Sequence, residues 1–118
     1  MNAIRVGEGT SGDEAAKQQS LFREVNDRID EIASSFGPPE EIAILCECAD
    51  QTCIQPIRLT RPEYEALRRM PTHFAVLAGH DLPEVERVVE QNDRFWTVAK
   101  VGDGAVAAIK LDPRRRAR

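Results

Sequence analysis

Three cysteines fall within one short stretch of this 118-residue chain, Cys46, Cys48 and Cys53, in the spacing C-x-C-x4-C. Two cysteines one residue apart at the end of a strand can point at a common centre, and a third across the same loop closes the arc. Structural zinc takes four protein ligands in a tetrahedron, and cysteine sulfur is a preferred one. The spacing therefore predicts a structural zinc site whose fourth ligand comes from elsewhere in the chain.

Two histidines can supply the fourth ligand. His80 follows Gly79 at the end of an apolar stretch, where the backbone freedom of glycine lets the imidazole turn inward. We therefore predict His80 as the ligand. His73 lies at the entry to the same stretch and is the second candidate, and the carboxylates of Asp50 and Asp81 are further alternatives.

Cysteines also serve other purposes, and the cellular compartment helps to choose among them. The N-terminal residues 1–5 lack the apolar core of a secretory signal, and no stretch approaches the ~20 apolar residues of a membrane span. We therefore expect a cytoplasmic protein without a membrane contact, where disulfides are rare. A redox thiol needs a lowered pKa, which the nearby acids Glu41, Glu47 and Asp50 oppose. A thiol redox or metal sensor, or simply buried cysteines, remain as alternatives.

The length of the chain suits a single domain. Aromatic residues make up only 5% of the sequence, so the core depends on aliphatic side chains and would gain from a metal cross-link. The formal net charge of −4 disfavours a general nucleic-acid binder. Four arginines nevertheless crowd the end of the chain, Arg114, Arg115, Arg116 and Arg118. We expect a solubilising tail there, with nucleic-acid binding through these arginines as the alternative.

The clearest predicted element is a long amphipathic helix from residue 13 to about Phe36. Ser11 and Glu14 have the spacing of a capping box, and a Gly-Pro-Pro sequence at 37–39 ends the helix. Its apolar positions alternate steps of three and four along one face: Phe22, Val25, Ile29, Ile32 and Phe36. Charged residues fill the other faces, Arg23, Glu24, Asp27, Arg28, Asp30 and Glu31. We expect the apolar stripe to pack on the sheet of its own chain, with a homodimer seam as the alternative.

Beyond this helix, short apolar runs alternate with turn residues, which predicts strands and shorter helices. Two strands, 41–46 and 54–59, are predicted to form a hairpin with the cysteines at its tip. Thr60 and Glu63 have the spacing of a second capping box, for a helix that ends near Met70. The remaining predicted elements are a strand at 74–78, a helix at 83–90, a strand at 95–99, a tight turn at 101–104 and a strand or helix at 105–111.

The predicted fold class is therefore α+β, with a long N-terminal amphipathic helix packed on a small, mostly antiparallel sheet that includes a zinc-held hairpin. The predicted organisation is a flexible leader at 1–12, a single zinc-stabilised domain at 13–112 and a basic tail at 113–118.

The run LCECADQTCIQPIRLTRPEYEALRRMPTHFAVLAGHDLPEVERVV resembles a family of small bacterial proteins that is frequent in actinobacteria. The shared motifs are a CEC–C segment, LTxxEYExxR, P-T-x-F, a GH turn and PEVERVVE, and the resemblance covers about residues 20–112. Cys46, Cys48, Cys53 and His80 correspond to positions of that pattern. The resemblance therefore implies a zinc site and favours His80 over His73, and it implies no particular activity.

The sequence contains no zinc-protease or deaminase motif, no phosphate-binding loop and no nucleophile elbow. Glu47 is the one acid placed to act as a base beside the cysteines, and on an extended strand its side chain would point away from theirs. We therefore expect a non-enzymatic zinc-binding domain that serves as a regulatory or adaptor module for a protein partner. An accessory role on nucleic acid and a redox or metal sensor are the alternatives.

Overall fold

The computed structural model describes residues 12–36, 41–50 and 52–116. Its elements follow in the order α1 (Gly12–Ser34), β1 (Glu41–Leu45), β2 (Pro56–Thr60), α2 (Arg61–Arg68), β3 (His73–Val76), β4 (Glu86–Gln91), β5 (Trp96–Lys100), α3 (Asp103–Lys110) and α4 (Pro113–Arg116). The predicted α+β class is confirmed, but the strands form two antiparallel sheets rather than one. The predicted leader lies, apart from Gly12, outside the described residues.

The first sheet is the predicted hairpin of β1 and β2, paired from Glu41 opposite Thr60 to Leu45 opposite Pro56. Pro56 lies at the first position of its strand, where its missing N–H costs the ladder least. Alternate side chains of the two strands point to one face and are buried: Ile42, Ile44, Ile57 and Leu59. They pack against Tyr64 of α2 and Phe74 of β3 in one aliphatic core.

The second sheet has the strand order β3-β5-β4, with β5 in the centre. The prediction of a helix at 83–90 is wrong, because residues Glu86–Gln91 form the edge strand β4. A register shift between Val88 and Glu90 inserts an extra residue into this strand. Such a bulge breaks the alternation of apolar and polar positions that marks a strand, and the valines are left at a spacing that resembles a helix.

The helix α2 starts as predicted, with a reciprocal capping box. The Thr60 hydroxyl accepts a hydrogen bond from the Glu63 backbone N–H, and the Glu63 carboxylate accepts one from the Thr60 N–H. The ambiguous segment at 105–111 lies largely within the helix α3, which follows a turn in which Gly102 has a φ of 63°. No helix within the described ranges is long and apolar enough to cross a membrane.

The orientation of α1 differs from the prediction. This helix lies against β1, α3 and α4, and the face that it buries is polar. Its buried side chains are Gln19, Ser20, Arg23, Asn26, Asp27 and Asp30. Of the predicted apolar stripe, Val25, Ile32 and Phe36 face outward and are 46%, 53% and 78% exposed, whereas Phe22 is half-buried and Ile29 packs against the core. The physical reason is that the body of the protein offers buried charged partners to α1, and unpaired buried charges would cost far more than exposed aliphatic side chains.

The ion pairs beneath α1 show this complementarity. Asp27 accepts hydrogen bonds from Tyr64 and from both Nε and Nη2 of Arg68. Burial opposes ionisation of Asp27, yet these hydrogen bonds hold the pKa of its carboxyl below the usual value. Asp30 pairs with Arg61 and with Arg114 of α4. The helix is therefore docked by charge pairing as much as by apolar contact.

Candidate metal centre

The hairpin loop brings the three cysteines together. Cys46 directly follows β1, and its N–H donates to the Gln55 carbonyl at 2.8 Å, which extends the hairpin ladder into the loop. The Asp50 carboxylate accepts hydrogen bonds from the backbone N–H and the hydroxyl of Thr52, at 2.9 and 2.8 Å. The Asp50 carbonyl accepts a further bond from the Cys53 N–H at 3.1 Å. This turn folds Cys53 back toward the strand end.

The histidine reaches the same point from the second sheet. The chain leaves β3 and turns at Leu77–His80, where the His80 N–H donates to the Leu77 carbonyl at 2.9 Å. Gly79 holds the third position of this turn with a φ of 81°, a left-handed conformation that glycine adopts without strain. Gly79 and His80, which the sequence analysis identified, are therefore part of a turn that places the His80 side chain next to the cysteines.

The ligand atoms of Cys46, Cys48, Cys53 and His80 all lie within 4.8 Å of one another. The His80 Nδ1 atom is 3.6 Å from the Cys46 Sγ and 3.7 Å from the Cys53 Sγ. In a tetrahedral centre with metal–sulfur bonds of about 2.3 Å and metal–nitrogen bonds of about 2.0 Å, sulfur and nitrogen are roughly 3.6 Å apart. The four side chains are thus spaced to hold a metal ion, with Nδ1 as the donor atom of the histidine.

The backbone beside one of the sulfurs is placed to stabilise a thiolate. The Leu77 N–H donates to the Cys46 Sγ at 3.3 Å. Such charge-assisted bonds favour the ionised form of the group that accepts them.

The three thiols cannot all ionise in this setting without a cation. A hydrogen bond from the Cys46 thiol lowers the pKa of Cys48 to about 5. The same hydrogen bond and burial raise the pKa of Cys46, and burial raises that of Cys53. A second or third buried negative charge needs a positive charge among the sulfurs, which a divalent metal ion would supply.

The other sequence candidates lie outside this group. Among the described residues the group consists of the three cysteines and His80, so Asp50 and Asp81 are not part of it. His73 lies at the start of β3, paired with Ala99, and its carbonyl accepts a hydrogen bond from Arg23. Burial, together with the charge of Arg23, lowers the pKa of His73.

Glu47, between the first two cysteines, turns its side chain away from them into the protein. Its carboxylate accepts hydrogen bonds from Arg23 Nη2 at 2.8 Å, Asn26 Nδ2 at 3.0 Å and the Ala75 N–H at 2.9 Å. Its own N–H donates to the Ala75 carbonyl at 2.8 Å. Both Arg23 and Glu47 are buried, with side chains 1% and 0% exposed. Glu47 therefore ties the cysteine loop to α1 and to β3, and its carboxylate is not free to serve as a base.

The same polar layer continues away from the cysteines. Gln19 donates to the Glu47 carbonyl at 2.7 Å and to Glu86 Oε2 at 2.9 Å, and Glu86 pairs with Lys100 at 3.0 Å. Sequence reasoning missed these supports. The available signal was the helical spacing of Gln19, Arg23 and Asn26, which is as regular as that of the apolar stripe.

Of the four terminal arginines, Arg114 is engaged within the fold. Its guanidinium forms ion pairs with Glu65 at 2.8 Å and with Asp30 at 3.4 Å. Arg115 is exposed and donates to the Ile109 carbonyl, while the side chains of Arg116 and Arg118 lie outside the described part of the chain. Nucleic-acid binding through these arginines stays a prediction.

No protein-family model, curated protein or solved structure matches this chain.

Proposed function

We propose that this chain is a zinc-binding domain in which Cys46, Cys48, Cys53 and His80 hold one structural Zn²⁺. The observation that carries the proposal is the spacing of the donor atoms, with nitrogen–sulfur separations of 3.6 and 3.7 Å where a tetrahedral zinc site requires roughly 3.6 Å. The ion would cross-link the β1–β2 hairpin to the turn after β3, and so join the two sheets.

The chemistry of the donors supports zinc among the common metals. Thiolate and imidazole are soft or borderline ligands that suit Zn²⁺, whereas Mg²⁺ and Ca²⁺ select oxygen. Four protein donors fill a tetrahedron, so the site is of the closed, structural kind rather than the catalytic kind that keeps a position for water. With three thiolates the centre would carry a net negative charge, which the hydrogen bond from the Leu77 N–H to the Cys46 Sγ partly offsets.

A closed centre directs the proposal toward binding rather than catalysis. We assign the domain a regulatory or adaptor role, in which the metal fixes the relative position of two sheets and α1 offers an exposed apolar face to a protein partner. The apolar face supports this role, because Val25 and Ile32 of α1 and Phe36 of the turn after it are exposed, and contiguous exposed apolar surface marks interaction sites.

Elemental analysis tests the metal assignment. We expect one zinc per chain in protein purified without a metal-chelating tag. The variant His80→Ala is expected to lose zinc or to bind it at least about tenfold more weakly, since one of four ligands is gone. The matched control His73→Ala should keep a full zinc content, because His73 lies outside the group of four.

Cobalt substitution gives an independent readout of the geometry. Co²⁺ in the wild-type protein should show the intense visible bands of a tetrahedral site together with thiolate-to-metal charge transfer. A wild-type protein without zinc, with three thiols that react freely, would contradict the proposal. So would an unchanged zinc content in His80→Ala.

A further inference from the structure

The outer face of α1, defined as Leu21, Val25, Arg28 and Ile32 of the helix together with Phe36 of the turn that follows it, is a feature that the metal centre does not explain. Leu21 is 59% exposed, and the other three apolar members are 46–78% exposed. Successive members of this face lie three or four residues apart, so they form one stripe along the helix and the turn after it. We propose, resting on the function proposed above, that the protein partner of this face is the same face of a second copy of this chain, with the two α1 helices antiparallel.

The apolar surface has the right order of magnitude for a self-association site. The four exposed side chains present roughly 400 Å² to solvent, which is within the range of the largest apolar patch on a monomer, a patch that often has a function. A standard interface buries about 800 Å² on each partner, so the stripe alone would supply about half of one and suits a weak dimer. A groove of about 600 Å³ borders the stripe, between Val25, Ile29 and Ile32 of α1 and Pro113 and Arg114 of α4. It provides room for the side chains of a second helix.

Charge complementarity selects a second copy and an antiparallel arrangement. Arg28 of this face and Glu31 beside it are 73% and 71% exposed, and within one chain they form a loose ion pair at 3.6 Å that contacts to a second copy could replace. In an antiparallel pair, the register that sets Arg28 opposite Glu31 of the second copy does so twice, by symmetry. In this register Val25 lies next to Ile32 of the second copy and Leu21 next to Phe36, each offset by about 3 Å along the axis. One register of the antiparallel pair therefore brings both the apolar side chains and the opposite charges into contact.

The orientation of α1 makes this face available. The helix is docked by its polar side, through pairs such as Arg23–Glu47 and Asp27–Arg68. Part of its apolar surface is thus left for a partner, while Ile29 and Ala33 pack against the core. A helix that packed its whole apolar stripe on its own sheet would have no such face.

Sedimentation over a concentration series of the zinc-loaded protein tests the proposal. We expect a monomer–dimer equilibrium with a dissociation constant on the order of 10 μM, as suits a small interface. Ile32→Glu should raise that constant at least about 100-fold, because it places two like charges in the apolar stripe. The matched control Val89→Glu, at a 47% exposed valine of β4, should leave it unchanged.

A charge-exchange experiment tests the arrangement. Arg28→Glu and Glu31→Arg should each weaken self-association about tenfold. In a dimer of either variant, positions 28 and 31 carry the same charge, so like charges meet at both symmetric contacts. Mixing the two variants should restore dimers, since opposite charges then meet at both contacts. Both positions are exposed, so these variants keep the fold. A wild-type monomer at millimolar concentration, a dimer indifferent to Ile32→Glu, or a mixture that stays monomeric would each overturn the proposal.

Discussion

Replacement of Cys46 by serine is expected to unfold the domain rather than to perturb it locally. Structural zinc contributes on the order of 10 kcal/mol of apparent binding free energy in small domains, which is comparable to the whole stability of a domain of this size. Cys46 is 0% exposed and also accepts the hydrogen bond from Leu77. In the proposed zinc site, its loss would remove both a ligand and the metal cross-link between the two sheets.

Far-ultraviolet circular dichroism and thermal unfolding measure this effect, in the presence and absence of a zinc chelator. The wild type should lose its cooperative transition when the chelator is added and regain it with zinc. Cys46→Ser and Cys53→Ser should lack the transition under both conditions. Thr52→Ala, which removes only the hydroxyl bond to Asp50 in the same loop, is the control and should behave like the wild type. A metal-free Cys46→Ser with the wild-type melting temperature would refute the structural role of the metal.

Glu47→Gln is expected to cost about 3–5 kcal/mol of unfolding free energy, the range measured when one partner of a buried ion pair is removed. The substitution keeps the size of the side chain but leaves the buried guanidinium of Arg23 without a counter-charge. Arg23 is already under-satisfied, because its Nη1 atom has no hydrogen-bond partner within the described structure. A surface pair gives the matched control. Glu41 pairs with Arg58 while 47% exposed, so Glu41→Gln should cost less than about 1 kcal/mol.

Chemical denaturation of the zinc-loaded variants measures both costs, and a competition titration with a chelator measures the zinc affinity. We expect the affinity to fall in Glu47→Gln as well, because residues that hold metal ligands in place commonly change binding 10–100-fold. A double substitution, Arg23→Met with Glu47→Gln, should recover part of the lost stability. Equal costs for Glu47→Gln and Glu41→Gln would show that the buried pair does not support the loop.

The grouping of the four candidate metal ligands could be predicted from the sequence because most of its determinants are local. Cys46, Cys48 and Cys53 lie within one hairpin loop, and a glycine marks the turn that delivers His80. The α+β class followed from regular apolar patterns, as did the hairpin and the capping box at Thr60. These features depend on residues within a few positions of one another, which is the range over which sequence patterns carry structural information.

The orientation of α1 and the strand β4 could not be read in the same way. Periodicity identifies two faces of α1, one apolar and one polar, but not which face the rest of the chain will cover. That choice depends on Glu47, Arg68 and other buried partners that lie 24 to 84 positions away in the sequence. In β4 a single extra residue at the bulge was enough to disrupt the alternation of apolar and polar residues by which a strand is predicted.

The polar docking of α1 has a consequence for the order of folding. The β1–β2 hairpin joins strands that are close in the sequence, whereas α1 gains its contacts only after distant charged partners are in place. The entropic cost of closing such long loops arises before the contacts that compensate for it have formed. We expect α1 to attach after the transition state, so that substitutions at Gln19 or Asn26 accelerate unfolding and leave the folding rate nearly unchanged in stopped-flow experiments. The helix nearest the start of the chain would then be the last to join it.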